Sequence, residues 1–274
     1  MEIFGTIYSI FNLLFIGPIT NLLVLLFVLI SAVNIPYAFA FSIIALTVVI
    51  RFVLYPLTAA QIRSSKRMQD VAPKIAQIKA RYKSDRNKQQ QEIMNVYRSE
   101  GINPASGCLP VLVQIPIIWS LYHVLTTLLS ENGQEALNHL NSVVYFDFLK
   151  ISAAWDPTFF GMMLSVIPRD IFSNQPLYIL VAVITAALQF VLSKMMMSGV
   201  TDKSKTKKGA ADDFQAVFQK QMIFVFPVMI GWFSFVFPLG LSLYWNTFTL
   251  FGILQQYKLV GLGGLEPWVK KIRA

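Results

Sequence analysis

Long apolar blocks separated by polar stretches are the main pattern along the chain. Four blocks are long enough for membrane-spanning helices, which need about 20 residues each; they cover residues 37–58, 109–129, 177–197 and 222–258. The last block exceeds one span, and Phe237-Pro238-Leu239-Gly240 divides it, because proline ends a helix. The pattern therefore predicts an all-α integral membrane protein with five transmembrane helices, the last two short enough to suit a thinned bilayer.

A shorter apolar stretch precedes these blocks, over residues 22–33. Its 12 residues are few for a span, and Gly17-Pro18 is expected to break the helix ahead of them. We therefore predict an N-terminal interfacial or re-entrant helix, with a sixth span as the alternative. Residues 1–35 then form an N-terminal outer segment, and residues 36–258 form the five-span core.

Basic residues are concentrated in particular connecting segments. Residues 61–104 hold ten Lys and Arg against four Asp and Glu, whereas residues 130–175 hold two against five. Residues 198–220 and the tail, 259–274, also carry an excess of basic residues. The positive-inside rule therefore places these three basic segments in the cytoplasm, and the N-terminus and the 130–175 loop outside.

Residues 64–101 predict two helices joined by a turn, within the cytoplasmic segment 61–104. Apolar residues recur at spacings of three and four from Met68 to Tyr82. Pro73 either kinks this first helix or marks its start. Ser84-Asp85 can cap a second helix, which Gly101 ends. The segment is thus a cytoplasmic helical hairpin with basic, solvated faces.

Composition removes several classes of protein. The chain is 55% hydrophobic and only 14% charged, whereas soluble domains carry about 25% charged residues. The only cysteine is Cys108, and His123 and His139 are the only histidines, so a disulfide or a metal cluster is not expected. No Asp or Glu lies inside a predicted span, and no phosphate-binding loop is present. We expect neither an enzyme nor a cofactor.

Arg51 lies well inside the first predicted span. An arginine at mid-bilayer costs about 2.5–3.5 kcal/mol on insertion scales, so such a residue is a candidate functional site. The alternative is that its side chain extends to the cytoplasmic interface. Thr47 and Tyr55 lie four residues to either side of Arg51 and share its helical face.

Other spans carry polar residues that could face the same place. Such rows make sense if they converge on a hydrated groove, although an interhelical hydrogen bond explains any single Ser or Thr. The predicted site is a binding surface with no catalytic residues. Besides Arg51, Thr47 and Tyr55, its members are Gln114 on the second span, Gln189 and Ser193 on the third, and Trp245 and Asn246 on the fifth.

Three motifs, in order over residues 36–258, resemble the YidC/Oxa/Alb family of membrane protein insertases. The first is IRFVLYPLT at residues 50–58. The second is Asn103-Pro104, followed by GCLP at 107–110 and QIP at 114–116. The third is FPLGL at 237–241, followed by LYW at 243–245 and QQ at 255–256.

The resemblance implies a five-span bundle with a groove that is open to the cytoplasm and to lipid, containing Arg51. It also implies an interfacial helix before the first span. Family members insert small membrane proteins, alone or beside the Sec translocon. The partners implied are therefore nascent membrane proteins, membrane lipids, and the ribosome and Sec translocon through the hairpin and basic loops. The location implied is a bacterial cell membrane.

Three features depart from the family pattern. We expect neither the large outer domain of Gram-negative members nor a lipidated N-terminal cysteine. The short tail counts against a tail-based ribosome anchor. Residues 159–170 look longer than expected, and their apolar run predicts a small extra amphipathic element. The rival function is a small anion-selective channel or transporter, since an arginine facing water can select anions. The lack of an inverted repeat counts against it.

Overall fold

The structure is a computed structural model that describes residues 2–103, 109–130, 133–152, 155–196 and 210–273. It is mostly helical, as the sequence predicts. Cys108, with the rest of 104–108 from the second motif, and residues 198–209 of the predicted cytoplasmic loop lie outside the described residues. The α-helices are α1 Glu2–Phe11, α2 Gly17–Ala32, α3 Ala38–Val53, α4 Tyr55–Asp70, α5 Ala72–Arg81, α6 Arg86–Ser99, α7 Leu109–Ser130, α8 Gly133–Val143, α9 Pro168–Ile171, α10 Ile179–Met196, α11 Ala210–Val236, α12 Leu239–Val260 and α13 Glu266–Arg273.

Contacts between residues divide the chain into two compact units. The first unit comprises residues 1–53, 112–186 and 230–248. The second comprises residues 54–111, 187–229 and 249–274. The division into residues 1–35, 36–258 and 259–274 followed the sequence pattern alone and remains a prediction.

The N-terminal residues form one uninterrupted helical stretch. A π-helical turn, Asn12–Ile16, follows α1 directly and leads into α2 without a gap. The expected break at Gly17-Pro18 is therefore wrong. The amide of Gly17 donates to the carbonyl of Asn12, five residues back. This wider turn accommodates the proline ring and its missing N–H, which a regular α-helix would not.

Length and hydropathy identify the helices that could cross a membrane. Among the described residues, Tyr8–Ala32 and Pro176–Met196 are long and apolar enough to span a membrane. The pair α3 and α4 forms a third candidate span if the two helices are counted as one. The apolar segments Val113–Leu129 and Ile223–Val236 are shorter. The N-terminal helix is thus long enough for the sixth span that the sequence left as an alternative. The count of five spans stays a prediction.

A β-hairpin lies between α8 and α9 in the first unit, where the sequence predicts a small amphipathic element. Its strands, β1 Thr158–Phe159 and β2 Met162–Met163, are antiparallel, with Thr158 opposite Met163. The two turn residues, Phe160 and Gly161, have φ values of 47° and 81°. Two consecutive positive φ values are typical of the tight turn that matches the twist of paired strands.

The same segment caps α12. The amides of Leu239 and Gly240 each donate over 2.9 Å, to the carbonyls of Val166 and Leu164 respectively. These bonds satisfy two of the first-turn N–H groups that a helix leaves without partners. The predicted break at Phe237-Pro238 is confirmed, since α11 ends at Val236 and α12 begins at Leu239.

The second unit contains α4, α5 and α6. Pro73 lies in the first turn of α5, so it marks the start of that helix and does not kink it. Asp85 caps α6 as predicted, with its carboxylate accepting from the Lys88 amide at 3.0 Å. Lys74 on α5 forms an ion pair with Glu100 across 2.9 Å. The cytoplasmic location of this helix pair remains a prediction.

Candidate functional site

Arg51 is buried in the last turn of α3, with only 5% of its surface exposed. Its guanidinium carbon lies 3.4 Å from the centre of the Phe248 ring. Its Nη2 also donates a short hydrogen bond to the Phe248 carbonyl. A desolvated cation over an aromatic face gains about 2 kcal/mol. The guanidinium therefore lies against α12 and does not extend to the interface as the alternative proposed.

Tyr244 and Gln114 extend this contact to a third helix. Tyr244 is fully buried one turn before Phe248, and their ring centres are 5.7 Å apart. The Gln114 amide on α7 donates to the Tyr244 hydroxyl at 2.5 Å. We name Arg51, Gln114, Tyr244 and Phe248 the arginine cluster. The cluster lies within the first unit and joins α3, α7 and α12.

Three other predicted site residues also belong to the first unit. Thr47 is fully buried, and its hydroxyl donates to the Ile43 carbonyl of its own helix at 2.7 Å. Trp245 is buried, and its ring stacks on Phe233 with centres 6.2 Å apart. The buried Oδ1 of Asn246 has no hydrogen-bond partner within the described residues. A buried amide oxygen of this kind is one that a bound water commonly satisfies.

The remaining predicted residues lie in the second unit. Gln189 accepts a hydrogen bond from the Thr249 hydroxyl at 3.3 Å. Tyr55 and Ser193 are half-buried. Gln255 donates to the Thr58 hydroxyl at 2.8 Å and to the Tyr55 carbonyl at 3.4 Å. Gln189 and Tyr55 are thus paired with polar groups of α12, and the role of all three in a groove remains a prediction.

Three hydroxyl groups of the first unit form a separate hydrogen-bonded chain. The hydroxyl oxygens of Thr185 and Ser234 are 3.2 Å apart, and those of Ser234 and Ser242 are 2.7 Å apart. All three residues are buried. This chain joins α10, α11 and α12 and does not include Arg51. Interhelical bonding, the simpler explanation, applies to these three hydroxyls.

Sequence reasoning missed two members of the arginine cluster. On α12, Trp245 and Asn246 were the residues expected beside Arg51, whereas the observed partners are Tyr244 and Phe248. Their spacing of four residues places them on one helical face, which was the available signal. Nothing in that spacing identifies which other helix the face contacts.

Comparison with known proteins gives consistent matches. The model of the family described as 60Kd inner membrane protein matches residues 29–261. The chain is 32% identical over 252 residues to the chloroplastic inner membrane protein ALBINO3 of Arabidopsis thaliana, covering 86% of this chain and 50% of that protein. It is also 32% identical over 225 residues to the membrane protein insertase YidC of Fusobacterium nucleatum, covering 82% of this chain and 87% of that protein.

A solved structure supports the same relationship. A crystal structure of an active YidC insertase, with its first transmembrane domain resolved, matches with a TM-score of 0.52 and 26% identity. The match covers 86% of this chain and 44% of that one. The chain spans about half or less of the length of most curated relatives that it matches.

Proposed function

The chain belongs to the 60Kd inner membrane protein family, that of the YidC/Oxa/Alb insertases, and on this basis we propose that it is a membrane protein insertase. It guides hydrophilic tails and transmembrane segments of small membrane proteins into the bilayer through a hydrated, positively charged groove. The observation that carries the proposal is the buried cation of Arg51, held in an apolar helix by the ring and the carbonyl of Phe248.

The physical task of an insertase is to move a polar tail across an apolar slab. A hydrated groove reaching partway shortens the low-dielectric path, and thin flanking spans shorten it further. Once the tail is across, the apolar segment of the substrate leaves sideways into lipid, where its burial is favourable. This task needs no covalent chemistry.

Arg51 attracts acidic residues in the passing tail. The ring and carbonyl of Phe248 are uncharged partners, whereas a carboxylate adds the attraction of a full opposite charge and can accept two parallel hydrogen bonds from the guanidinium. In our proposal, the observed contact is the resting position, and a substrate carboxylate replaces Phe248. In the first unit, Thr47, Gln114, Trp245 and Asn246 are the proposed groove residues that accompany Arg51. The proposed groove residues of the second unit are Tyr55, Gln189 and Ser193.

We propose an orientation with the N-terminus and residues 130–175 outside and the basic segments in the cytoplasm. The excess of Lys and Arg in residues 61–104 supports it. In that position, the basic α5–α6 pair would receive nascent chains from the ribosome and contact the Sec translocon. The tail, 259–274, would also be cytoplasmic.

Reconstitution tests the proposed function. The full chain is placed in liposomes with a small membrane protein as substrate and without nucleotide, and protease protection measures insertion. Protection above that of empty liposomes is expected. Anion flux without any protection would instead identify a channel. Crosslinks from Asn246→Cys, in a Cys108→Ser background, to a stalled acidic-tailed nascent chain would place the substrate beside the arginine cluster.

A further inference from the structure

The C-terminal residues of the second unit form a separate short helix beside the end of α10. After α12, Gly261 and Gly263 have φ values of 80° and 52°, a backbone conformation that glycine adopts without strain. They redirect the chain into α13, Glu266–Arg273. Neither the arginine cluster nor the proposed insertion mechanism uses this helix.

Trp268 fixes the position of α13. The centre of its ring is 6.2 Å from the centre of the Phe190 ring, and the Lys194 ammonium lies 5.2 Å from the centre of the Trp268 ring. Both partners belong to the second half of α10, whose residues form most of the candidate span Pro176–Met196. Half of the tryptophan surface, 52%, nevertheless remains exposed. The helix therefore lies where this candidate span ends, with an aromatic ring only partly covered by protein.

The exposed charges on α13 and at the end of α12 are mainly positive. Lys258, Lys270 and Lys271 are exposed, and Lys194 lies against the ring. Glu266 is the acidic residue of α13, and it already forms an ion pair with Lys270 across 2.8 Å. A surface of this kind attracts anions, and its tryptophan suits the boundary between water and hydrocarbon.

We propose that α13 lies on the membrane surface and binds the headgroups of anionic phospholipids. Tryptophan is enriched at the headgroup level of membranes, and each lysine near an anionic bilayer contributes about 1 kcal/mol of attraction. The contact of Trp268 with the end of a candidate span favours lipid over RNA as the partner, because a helix that packs there lies at the bilayer surface. This contact anchors the end of the chain.

An environment-sensitive fluorophore at residue 269 tests the proposal. The full chain carries Val269→Cys in a Cys108→Ser background, and it is reconstituted in phosphatidylcholine vesicles with or without phosphatidylglycerol. We expect brighter, blue-shifted emission with phosphatidylglycerol, and reversal by high salt. Lys270→Gln with Lys271→Gln should weaken docking roughly 30-fold, since two lysine contributions are lost.

Two matched variants separate charge from folding. Lys270→Arg with Lys271→Arg should keep the response, because the charge is unchanged. Arg81→Gln with Lys83→Gln removes as much charge from the α5–α6 pair and should also keep it. Equal emission in both kinds of vesicle, or a response that survives neutralisation of both lysines, would overturn the proposal. Emission that responds only to added RNA would assign the helix to RNA and also overturn it.

Discussion

Replacing Phe248 by leucine tests whether Phe248 competes with a substrate carboxylate for Arg51. Phe248→Leu removes the aromatic face but keeps an apolar side chain and the backbone carbonyl that accepts from Arg51. The lost cation–π contact amounts to about 2 kcal/mol, because the guanidinium is desolvated. The bond from Gln114 to Tyr244 and the bond from Arg51 to the Phe248 carbonyl do not involve the ring, so these two links between helices should persist.

If a substrate carboxylate must displace Phe248, this substitution should strengthen acid binding. The gain is up to roughly 30-fold in apparent affinity, which corresponds to the 2 kcal/mol no longer needed to release Arg51. The assay is insertion at limiting concentrations of an acidic-tailed substrate into liposomes containing either protein. A substrate whose acidic tail residues are replaced by Asn and Gln serves as the control and should be unaffected.

A double-mutant comparison completes the test. In an Arg51→Ala background, Phe248→Leu should have no further effect, because the contact that it removes is already absent. Acidic-tail insertion that falls as far with Phe248→Leu as with Arg51→Ala would refute the reasoning. Phe248 would then hold Arg51 in its productive position and not compete with substrate. An unchanged acidic-tail insertion would reduce Phe248 to a packing residue.

Four further predictions concern topology, packing and the α5–α6 pair. Glu2→Cys and Lys83→Cys, each alone in a Cys108→Ser background, should react with a membrane-impermeant reagent from opposite sides of the membrane. Reaction of both from the same side would mean that Tyr8–Ala32 crosses the membrane. Gly231→Ala should lower the free energy of unfolding by about 1–3 kcal/mol, because the added Cβ would lie 2.8 Å from the Cβ of Ala186. Gly5→Ala is the control and should have no such effect, since nothing lies within 4 Å of its added Cβ. Equal melting temperatures of the two variants would contradict this packing. Asp85→Ala should destabilise α6 by about 1 kcal/mol, because the helix loses its N-cap. Deleting residues 81–88 should reduce ribosome-dependent delivery of substrate without unfolding the protein in detergent. If the deletion unfolds the protein, the α5–α6 pair has a structural role instead.

Local signals in the sequence were sufficient for several elements. The cap at Asp85 and the break at Phe237-Pro238 depend on neighbouring residues, and the structure has both. Pro73 left a kink or a helix start open, and the structure places it in the first turn of α5. Local reasoning failed at Gly17-Pro18, because it assumed regular α-helical geometry. A π turn removes the conflict with proline there, and no residue in that segment signals it.

The sequence pattern did not predict which side chains of different helices contact one another. Arg51 was identified from its unfavourable burial, but its aromatic partner on α12 was not, because a span has many candidate faces. The polar rows illustrate the same limit. Ser242 and Asn246 share a row by spacing, yet Ser242 bonds to Ser234 while the Asn246 oxygen is unmatched within the described chain. The sequence predicts which residues share a face of a helix, but their hydrogen-bond partners depend on which helix packs against that face.

Insertion of matched acidic and neutral tails by wild type, Arg51→Lys and Arg51→Ala, with and without an uncoupler, tests the central claim most directly. Moving one acidic residue out of an electrically negative interior releases about 2.3 kcal/mol per 100 mV, and Arg51 should hold that acid partway across. We expect Arg51→Lys to retain much of the acidic-tail insertion and Arg51→Ala to lose most of it. Neutral tails should depend less on both Arg51 and the potential. Equal insertion of the acidic tail by wild type and Arg51→Ala would contradict the account and make Arg51 a structural residue.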